Sequence, residues 1–195
     1  YLFNILRTYL NFDKINNILE IGGGSGHFAT LIKHYHPNIK CYIDIDIPEI
    51  LIFNIIFIMY FFPEVKICLP NETNEQNIYN YNFVFLTPDQ VSLVKNDSID
   101  LSINTASFGE MNKIDIKNYF DLIQRASKKN ANFLNHNRVH KNPEGKDDNI
   151  NKNLETNIFA EYPYKENKII VYDICRFTQL IEKDPLMIRL EEIIK

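Results

Sequence analysis

Four glycines within five residues place the strongest restriction on what this chain can fold into. The segment Gly22-Gly23-Gly24-Ser25-Gly26 follows a short apolar run, Ile18-Leu19-Glu20-Ile21, and precedes a helical spacing of apolar residues from His27 to His36. Glycine adopts positive φ angles and lets a ligand approach the backbone without a Cβ in the way. The helix that follows presents unpaired N–H groups and the positive end of its dipole. The pattern predicts a buried strand, a tight ligand-binding turn and a helix.

Strands and helices alternate along most of the remaining chain. Apolar runs at 39–45, 83–86 and 99–103 predict strands, and apolar residues at helical spacing over 114–127 predict a helix. Such alternation predicts an α/β fold, a Rossmann-like three-layer sandwich with a mostly parallel sheet between two layers of helices. Ligands bind such sheets at the carboxyl ends of the strands.

A length of 195 residues fits a single domain. Its expected parts are a leading helix at 1–17, a cofactor-binding core at 18–138, an exposed loop at 141–157 and a terminal hairpin and helix at 158–195. The hairpin is predicted from apolar runs at 158–164 and 168–174, and the helix from apolar spacing between Leu186 and Ile194.

The longest apolar stretch, ILIFNIIFIMYFF at 50–62, is too short to cross a membrane, because a spanning helix needs about 20 residues. It is predicted to form a helix that is buried on most of its surface. Either an upstream segment of a longer chain or a homodimer interface would provide that burial.

Composition excludes several classes of function. The formal net charge of −4 gives no electrostatic footprint for nucleic acid. Cys41, Cys68 and Cys175 are far apart and lack CxxC spacing. They are expected to be free thiols in a reducing compartment, which favours the cytoplasm and gives no structural zinc site.

Two ligand classes compete for the glycine segment. Gly24 to Ala29 satisfies the GxGxxA form of a dinucleotide fingerprint, and Asp44 follows 20 residues later. Glu20 to Gly26 equally satisfies ExGxGxG, the pattern of S-adenosylmethionine sites. Glu20 favours the second, because a carboxylate beside the loop would repel a pyrophosphate and attract the cationic amino group of a methionine moiety. A glycine turn that binds nothing is the third alternative.

Asp46 is the expected ribose ligand. It ends the second predicted strand, about 20 residues after the glycine loop, where a carboxylate can accept both ribose hydroxyl hydrogens. Asp44 lies on the same face of that strand, given the period of two. It is either a second ligand residue or a strand-end residue bonded to a loop backbone.

Five segments occur in an order that resembles the class I S-adenosylmethionine-dependent methyltransferases. They are LEIGGGSGHFA, YIDIDIPEIL, FVFLTPDQ, IDLSINTASFGEMN and FLNHNRVHKN. More narrowly, the D-[IL]-P-E and N-T-x-S-F-x-E-M patterns make the chain similar to the bacterial sugar O-methyltransferase family. Two departures concern the substrate side: His27 follows the glycine loop in place of a small residue, and the late hairpin lacks a tryptophan.

The resemblance implies a seven-stranded sheet with an antiparallel last strand, and S-adenosyl-L-methionine as cofactor, released as S-adenosyl-L-homocysteine. It implies that the segment around Asp89 borders the adenine and that Asn104 lies beside the methyl group. The expected cofactor-binding residues are Glu20, Gly22, Gly24, Gly26, Asp46, Ile47, Asp89, Gln90 and Asn104.

A sugar hydroxyl is a weak nucleophile, so a general base is expected. The candidates are Glu110, just beyond the fourth strand, and His136, after the fifth; His140 is a third. No metal is expected, although His136 and His140 have i,i+4 spacing.

The sequence thus predicts an O-methyltransferase that acts on a hydroxyl of a sugar or a sugar-containing small molecule. The alternatives are an NAD-dependent oxidoreductase and a noncatalytic cofactor-binding or assembly module.

Overall fold

The computed structural model describes residues 1–73, 77–141, 156–180 and 185–195. Within them, one sheet has eight strands in the order β3-β4-β2-β1-β5-β6-β10-β9, and β7 and β8 form a separate pair. The strands are β1 Asn17–Ile21, β2 Cys41–Ile45, β3 Ile67–Cys68, β4 Phe83–Leu86, β5 Ile99–Thr105, β6 Ser127–Arg138, β7 His140–Lys141, β8 Asn157–Ile158, β9 Lys168–Ile174 and β10 Leu186–Glu192. The helices are α1 Leu2–Tyr9, α2 His27–Tyr35, α3 Pro48–Phe61, α4 Lys113–Ala126 and α5 Arg176–Gln179.

The first six strands of the sheet run parallel, and β10 runs antiparallel to both β6 and β9. The central strands β1, β2 and β4 are buried almost throughout, as expected for parallel strands covered on both faces. The predicted α/β three-layer class is therefore confirmed. The sheet has one strand more than the seven expected, because the two-residue β3 adds to its edge.

Helices cover both faces of the sheet. Apolar residues of α1, α2 and α3 pack with Ile18, Leu101 and Leu134 on one face. Apolar residues of α4 pack with Leu19 and Phe133 on the other. Because side chains alternate along a strand, each strand contributes to both cores.

The structure corrects the prediction for the last third of the chain. The segment from Leu186 forms strand β10, not an amphipathic helix, since its buried residues alternate and it pairs on both sides with β6 and β9. The predicted strand at 158–164 is also wrong. Beyond β8, this segment forms a short 3-10 helix, and its Phe159 and Tyr162 are buried against the aromatic core around α4. The late hairpin is therefore formed by β9 and β10.

Helix α3 coincides with the long apolar stretch, but it is not buried on most of its surface. Leu51, Asn54 and Ile58 are buried, whereas Phe53 and Tyr60 on the other side are exposed. Among the described residues, no helix is long and apolar enough to cross a membrane. Of the loop predicted at 141–157, residues 142–155 lie outside the described residues, and its two ends pair as part of β7 and β8.

Candidate functional site

The carboxyl ends of four adjacent strands bring most of the predicted site residues together. In the order β4-β2-β1-β5, these ends carry Gln90 after β4, Asp46 after β2, Glu20 in β1 and Asn104 in β5. The glycine segment connects β1 to α2 at the same edge. The topology thus assembles the candidate site that the sequence motifs predict.

Three glycines of the loop have positive φ angles, and they serve different purposes. A Cβ on Gly22 (φ +71°) would collide with the Ser107 side chain, and one on Gly26 (φ +79°) with the Asn54 carboxamide. At Gly24 (φ +59°) the space is open. Close packing therefore requires the first and last of these glycines, whereas the backbone at Gly24 is left accessible to a ligand.

Two loop N–H groups donate to carboxylates. The N–H of Gly23 donates to Asp44 Oδ1 (3.1 Å) and that of Gly24 to Asp46 Oδ2 (3.0 Å). Asn54 of α3 donates to Asp44 Oδ2 at 2.6 Å. Asp44 is thus bonded to a loop backbone, one of the two roles expected from the sequence, and Asp46 is the more accessible of the two acids.

Glu20 is completely buried beside these acids. The Tyr42 hydroxyl donates to Glu20 Oε2 at 2.7 Å, while Oε1 has no hydrogen-bond partner among the described residues. Burial raises the pKa of Glu20 to about 7, the Tyr42 hydrogen bond opposes the rise, and the charge of Asp46 adds to it. Burial, Glu20 and Asp46 likewise raise the pKa of Asp44. The site is therefore a cluster of three acids in which the charge of Asp46 opposes the ionisation of Glu20 and Asp44.

A cleft of about 530 Å³ opens beside Asp46, between the ends of β2 and β4 and helix α4. Ile47, Pro88, Met111 and Tyr119 line it. Burial raises the pKa of Tyr119 to about 12, with Asp115 and Asp46 contributing. Its size and largely apolar wall are those of a small-molecule site.

Asp89 and Gln90 begin the 3-10 helix after β4. Asp89 accepts a hydrogen bond from Thr87 Oγ1 at 2.6 Å. Gln90 donates to the Pro70 carbonyl (2.7 Å) and to Thr73 Oγ1 (2.9 Å). The Gln90 side chain therefore fixes the neighbouring loop, and Pro88 and Val91 are the residues of this 3-10 helix that line the cleft.

Asn104 lies at the end of β5 and is completely buried. Its Nδ2 donates to the Ile21 carbonyl (2.9 Å) and Ser107 Oγ (2.5 Å), and its Oδ1 accepts from Asn137 (2.7 Å). Since Ile21 directly precedes Gly22, Asn104 anchors the start of the glycine loop. Both the nitrogen and the oxygen of its carboxamide are therefore hydrogen-bonded to other groups of the protein.

The two candidate bases lie in different surroundings. His136 in β6 is 7% exposed, and its Nε2 has no hydrogen-bond partner among the described residues. Burial lowers its pKa to about 4. Glu110 lies in a 3-10 helix after β5, with Lys141 Nζ 3.0 Å from its Oε1. His140 is exposed in β7. No group of three or more His, Cys, Asp or Glu within the described ranges could hold a metal ion.

Sequence reasoning missed Tyr42, Asn54, Ser107 and Tyr119. Asn54 had a signal, because it is the single polar residue of the apolar stretch at 50–62. Tyr42 also had one, since it lies two residues before Asp44 and therefore on the same face of β2. Ser107 and Tyr119 had none: the helical spacing of α4 already accounts for Tyr119.

No protein-family model matches the chain, and no curated protein matches it. Solved structures are similar in fold. A SAM-dependent methyltransferase from Archaeoglobus fulgidus has a TM-score of 0.56 at 12% identity, over 98% of this chain and 92% of that one. The S-adenosylmethionine-dependent methyltransferase SibL has a TM-score of 0.58 at 11% identity, over 98% of this chain and 54% of SibL. PigF, solved with SAH, has a TM-score of 0.55 at 15% identity, over 97% of this chain and 53% of PigF.

These identities bear on the fold alone, and the fold is that of class I methyltransferases. The chain spans about half the length of SibL and of PigF. Activity, substrate and partners therefore have to be argued from the site.

Proposed function

We propose that the protein is an S-adenosylmethionine-dependent O-methyltransferase that acts on a hydroxyl of a sugar or a sugar-containing small molecule. The observation that carries the cofactor assignment is the hydrogen bonding of the glycine loop. Its Gly23 and Gly24 N–H groups donate to Asp44 and Asp46, so a pyrophosphate would have to displace carboxylates to reach them.

Charge favours a cationic ligand for the same reason. Glu20, Asp44 and Asp46 mutually oppose ionisation in a buried setting, and a nearby positive charge would relieve that cost. S-adenosylmethionine carries such charges on its amino group and its sulfur. A dinucleotide brings negative charge to the same place, which disfavours the oxidoreductase alternative.

The residues present fit this cofactor. Asp46, which directly precedes the cleft-lining Ile47, is proposed to hold the ribose hydroxyls. The apolar wall of Ile47, Pro88 and Tyr119 is proposed to hold the adenine. The open backbone at Gly24 leaves room for the rest of the molecule. Glu20, being buried, acts through its charge. When bound, the cofactor supplies a methyl group activated by a cationic sulfur.

The acceptor side is proposed to lie beyond β5. An acceptor hydroxyl must come within about 3–3.5 Å of the methyl carbon, in line with the bond that breaks. Glu110 and His136 are the proposed bases, and Lys141 holds Glu110 in place through its ion pair. The sugar acceptor is supported by the N-T-x-S-F-x-E-M resemblance that ends in this loop.

A noncatalytic cofactor-binding module is the second candidate, and the surroundings of both bases favour it. A pKa near 4 makes His136 a weak base at neutral pH, and Glu110 is already paired with a cation. Such a module would bind the cofactor without turning it over.

The test is release of S-adenosylhomocysteine from the purified chain with S-adenosylmethionine and a panel of acceptors. We expect product with sugars or sugar-containing compounds, and none with matched deoxy sugars that lack the hydroxyl. Product with amines or thiols alone would refute the sugar assignment. Cofactor binding without product from any acceptor would favour the noncatalytic module.

We further propose a cytoplasmic location, since the three cysteines are buried free thiols. The proposed partners are a small-molecule acceptor and a second copy of the chain, with no nucleic acid.

A further inference from the structure

Helix α3 carries a stripe of large apolar side chains on its solvent side. Ile52, Phe53, Ile56, Met59 and Tyr60 are 57%, 62%, 61%, 55% and 79% exposed; we call these five residues the α3 stripe. Their spacing of i, i+1, i+4, i+7 and i+8 places them on one face of the helix. The stripe is therefore one contiguous surface rather than scattered exposed residues.

The stripe is large for a monomer. With about 200 Å² for a large side chain, the observed exposures amount to roughly 600 Å² per chain. Soluble monomers rarely leave contiguous apolar patches larger than a few hundred Å² uncovered. Two such stripes facing each other would bury about 1,200 Å², the lower end of the range for stable protein interfaces.

The stripe is also self-complementary. Its residues are arranged nearly symmetrically about Ile56, with Ile52 and Phe53 on one side and Met59 and Tyr60 on the other. A two-fold axis through Ile56 would place two α3 helices antiparallel, with Ile56 against its own copy. Ile52 would then meet the partner's Tyr60, and Phe53 the partner's Met59, a favourable sulfur–aromatic pair.

We propose that the α3 stripe is the interface through which two copies of this chain form a symmetric dimer. In an isologous contact of this kind both subunits contribute the same surface, so the dimer buries both α3 stripes and leaves neither free for a third chain. The acidic flanks of the stripe, Glu49 and Glu64, and the lack of Lys or Arg between them argue against an anionic membrane surface as the occupant.

The dimer would also support the cofactor loop. From the buried side of α3, Asn54 donates to Asp44 and abuts Gly26. The helix that carries the interface thus contacts both the glycine loop and the acid that holds it. The dimer itself does not depend on which ligand the loop binds.

The first test is sedimentation velocity of the full chain and two variants at tens of micromolar. We expect the wild type at twice its mass of 23.0 kDa, and Ile56→Asp at the monomer mass with an unchanged circular dichroism spectrum. The control, Ile114→Asp, replaces an equally apolar side chain that is 72% exposed on α4 and should remain dimeric. A monomeric wild type, or a dimer that survives Ile56→Asp, would overturn the proposal.

A second test keeps the proposal falsifiable if Ile56→Asp fails to fold. An Ile56→Cys variant treated with a short bismaleimide reagent should give a covalent dimer, because the symmetric contact brings the two introduced thiols together. The native cysteines are buried, and Ile114→Cys is the matched control. Equal cross-linking of the two variants would refute the interface. In a separate assay, a wild type that is monomeric and co-sediments with neutral lipid vesicles would also refute it.

Discussion

Replacing Glu20 with glutamine should make the protein more stable at neutral pH while weakening cofactor binding. Glutamine has nearly the same shape and can still accept the Tyr42 hydrogen bond. The variant therefore removes mainly the charge. Burial and Asp46 raise the pKa of Glu20 from 4.5 to about 7, so the folded protein resists ionising this group.

The magnitude follows from proton linkage. Below pH 4.5 the carboxyl is neutral in both states, and wild type and Glu20→Gln should be equally stable. Between pH 4.5 and 7 the unfolded chain loses this proton while the folded one keeps it, so wild-type stability falls as pH rises. A rise in pKa of this size corresponds to about 3 kcal/mol at pH 8, the expected advantage of Glu20→Gln.

Urea unfolding of both proteins at pH 4.5, 6 and 8 measures the difference. Glu161→Gln is the control, because Glu161 is exposed; its stability should follow that of the wild type. Binding of S-adenosylmethionine at pH 8 should weaken by about tenfold, the effect of one lost charge interaction of ~1.4 kcal/mol. A pH-independent difference, or a variant that is less stable at pH 8, would show that folding does not raise the pKa of Glu20.

Three further predictions concern Asp46, the proposed ribose ligand, and the two proposed bases. Asp46→Asn should weaken binding of S-adenosylhomocysteine by 1.5–3 kcal/mol, about 10- to 150-fold, for a lost charged hydrogen bond. Asp173→Asn is the control, because the carboxylates of Asp46 and Asp173 each accept a hydrogen bond of 2.8 Å from the backbone N–H of the next residue. Equal affinities of the two variants in calorimetry would contradict the assignment of Asp46 as the ribose ligand. The free energy of unfolding of His136→Leu should rise by about 3 kcal/mol relative to wild type as pH falls from 6.5 to 4. The reason is that the unfolded histidine takes up a proton over this range, whereas the buried one, with a pKa near 4, does not. Thermal melts in which both proteins shift in parallel with pH would exclude this. Glu110→Gln should lower kcat with little change in KM for the cofactor. Lys141→Met should lower kcat less, since it removes only the ion-pair partner of Glu110; an unchanged kcat in Glu110→Gln would exclude Glu110 as the base.

The parallel half of the fold was predictable because its signals are local. Strands β1, β2 and β4 are short, nearly continuous apolar runs, and each is followed by a polar or glycine residue that starts a turn. The position of Glu20 and Asp46 at one edge follows directly from the parallel topology. The sequence can therefore place a candidate site residue wherever its position depends on the end of a strand.

The antiparallel end was not predictable from local pattern. Leu186, Ile188 and Leu190 alternate as in a strand, but Leu186, Leu190 and Ile193 also have helical spacing. The segment forms a strand because it pairs with β6 and β9. Local sequence does not encode this pairing. In the segment after β8, the apolar run at 158–164 predicts a strand. There Phe159 instead packs in the aromatic core.

The surroundings of the site residues were the least predictable part. A helix that is apolar all round, such as α3, does not reveal from its sequence which side faces solvent. The same holds for the burial of Asn104 and His136, which results from long-range packing. The sequence places His136 after the fifth strand, whereas the structure places it within β6. These are the features on which the choice of base depends.

Calorimetric titration of the purified chain with S-adenosylhomocysteine and, separately, with NAD measures which class of ligand the glycine loop binds. Because the loop N–H groups at Gly23 and Gly24 already donate to carboxylates, we predict saturable binding of S-adenosylhomocysteine and none of NAD. Binding of NAD without binding of S-adenosylhomocysteine would identify the glycine loop as a dinucleotide site and exclude the methyl donor.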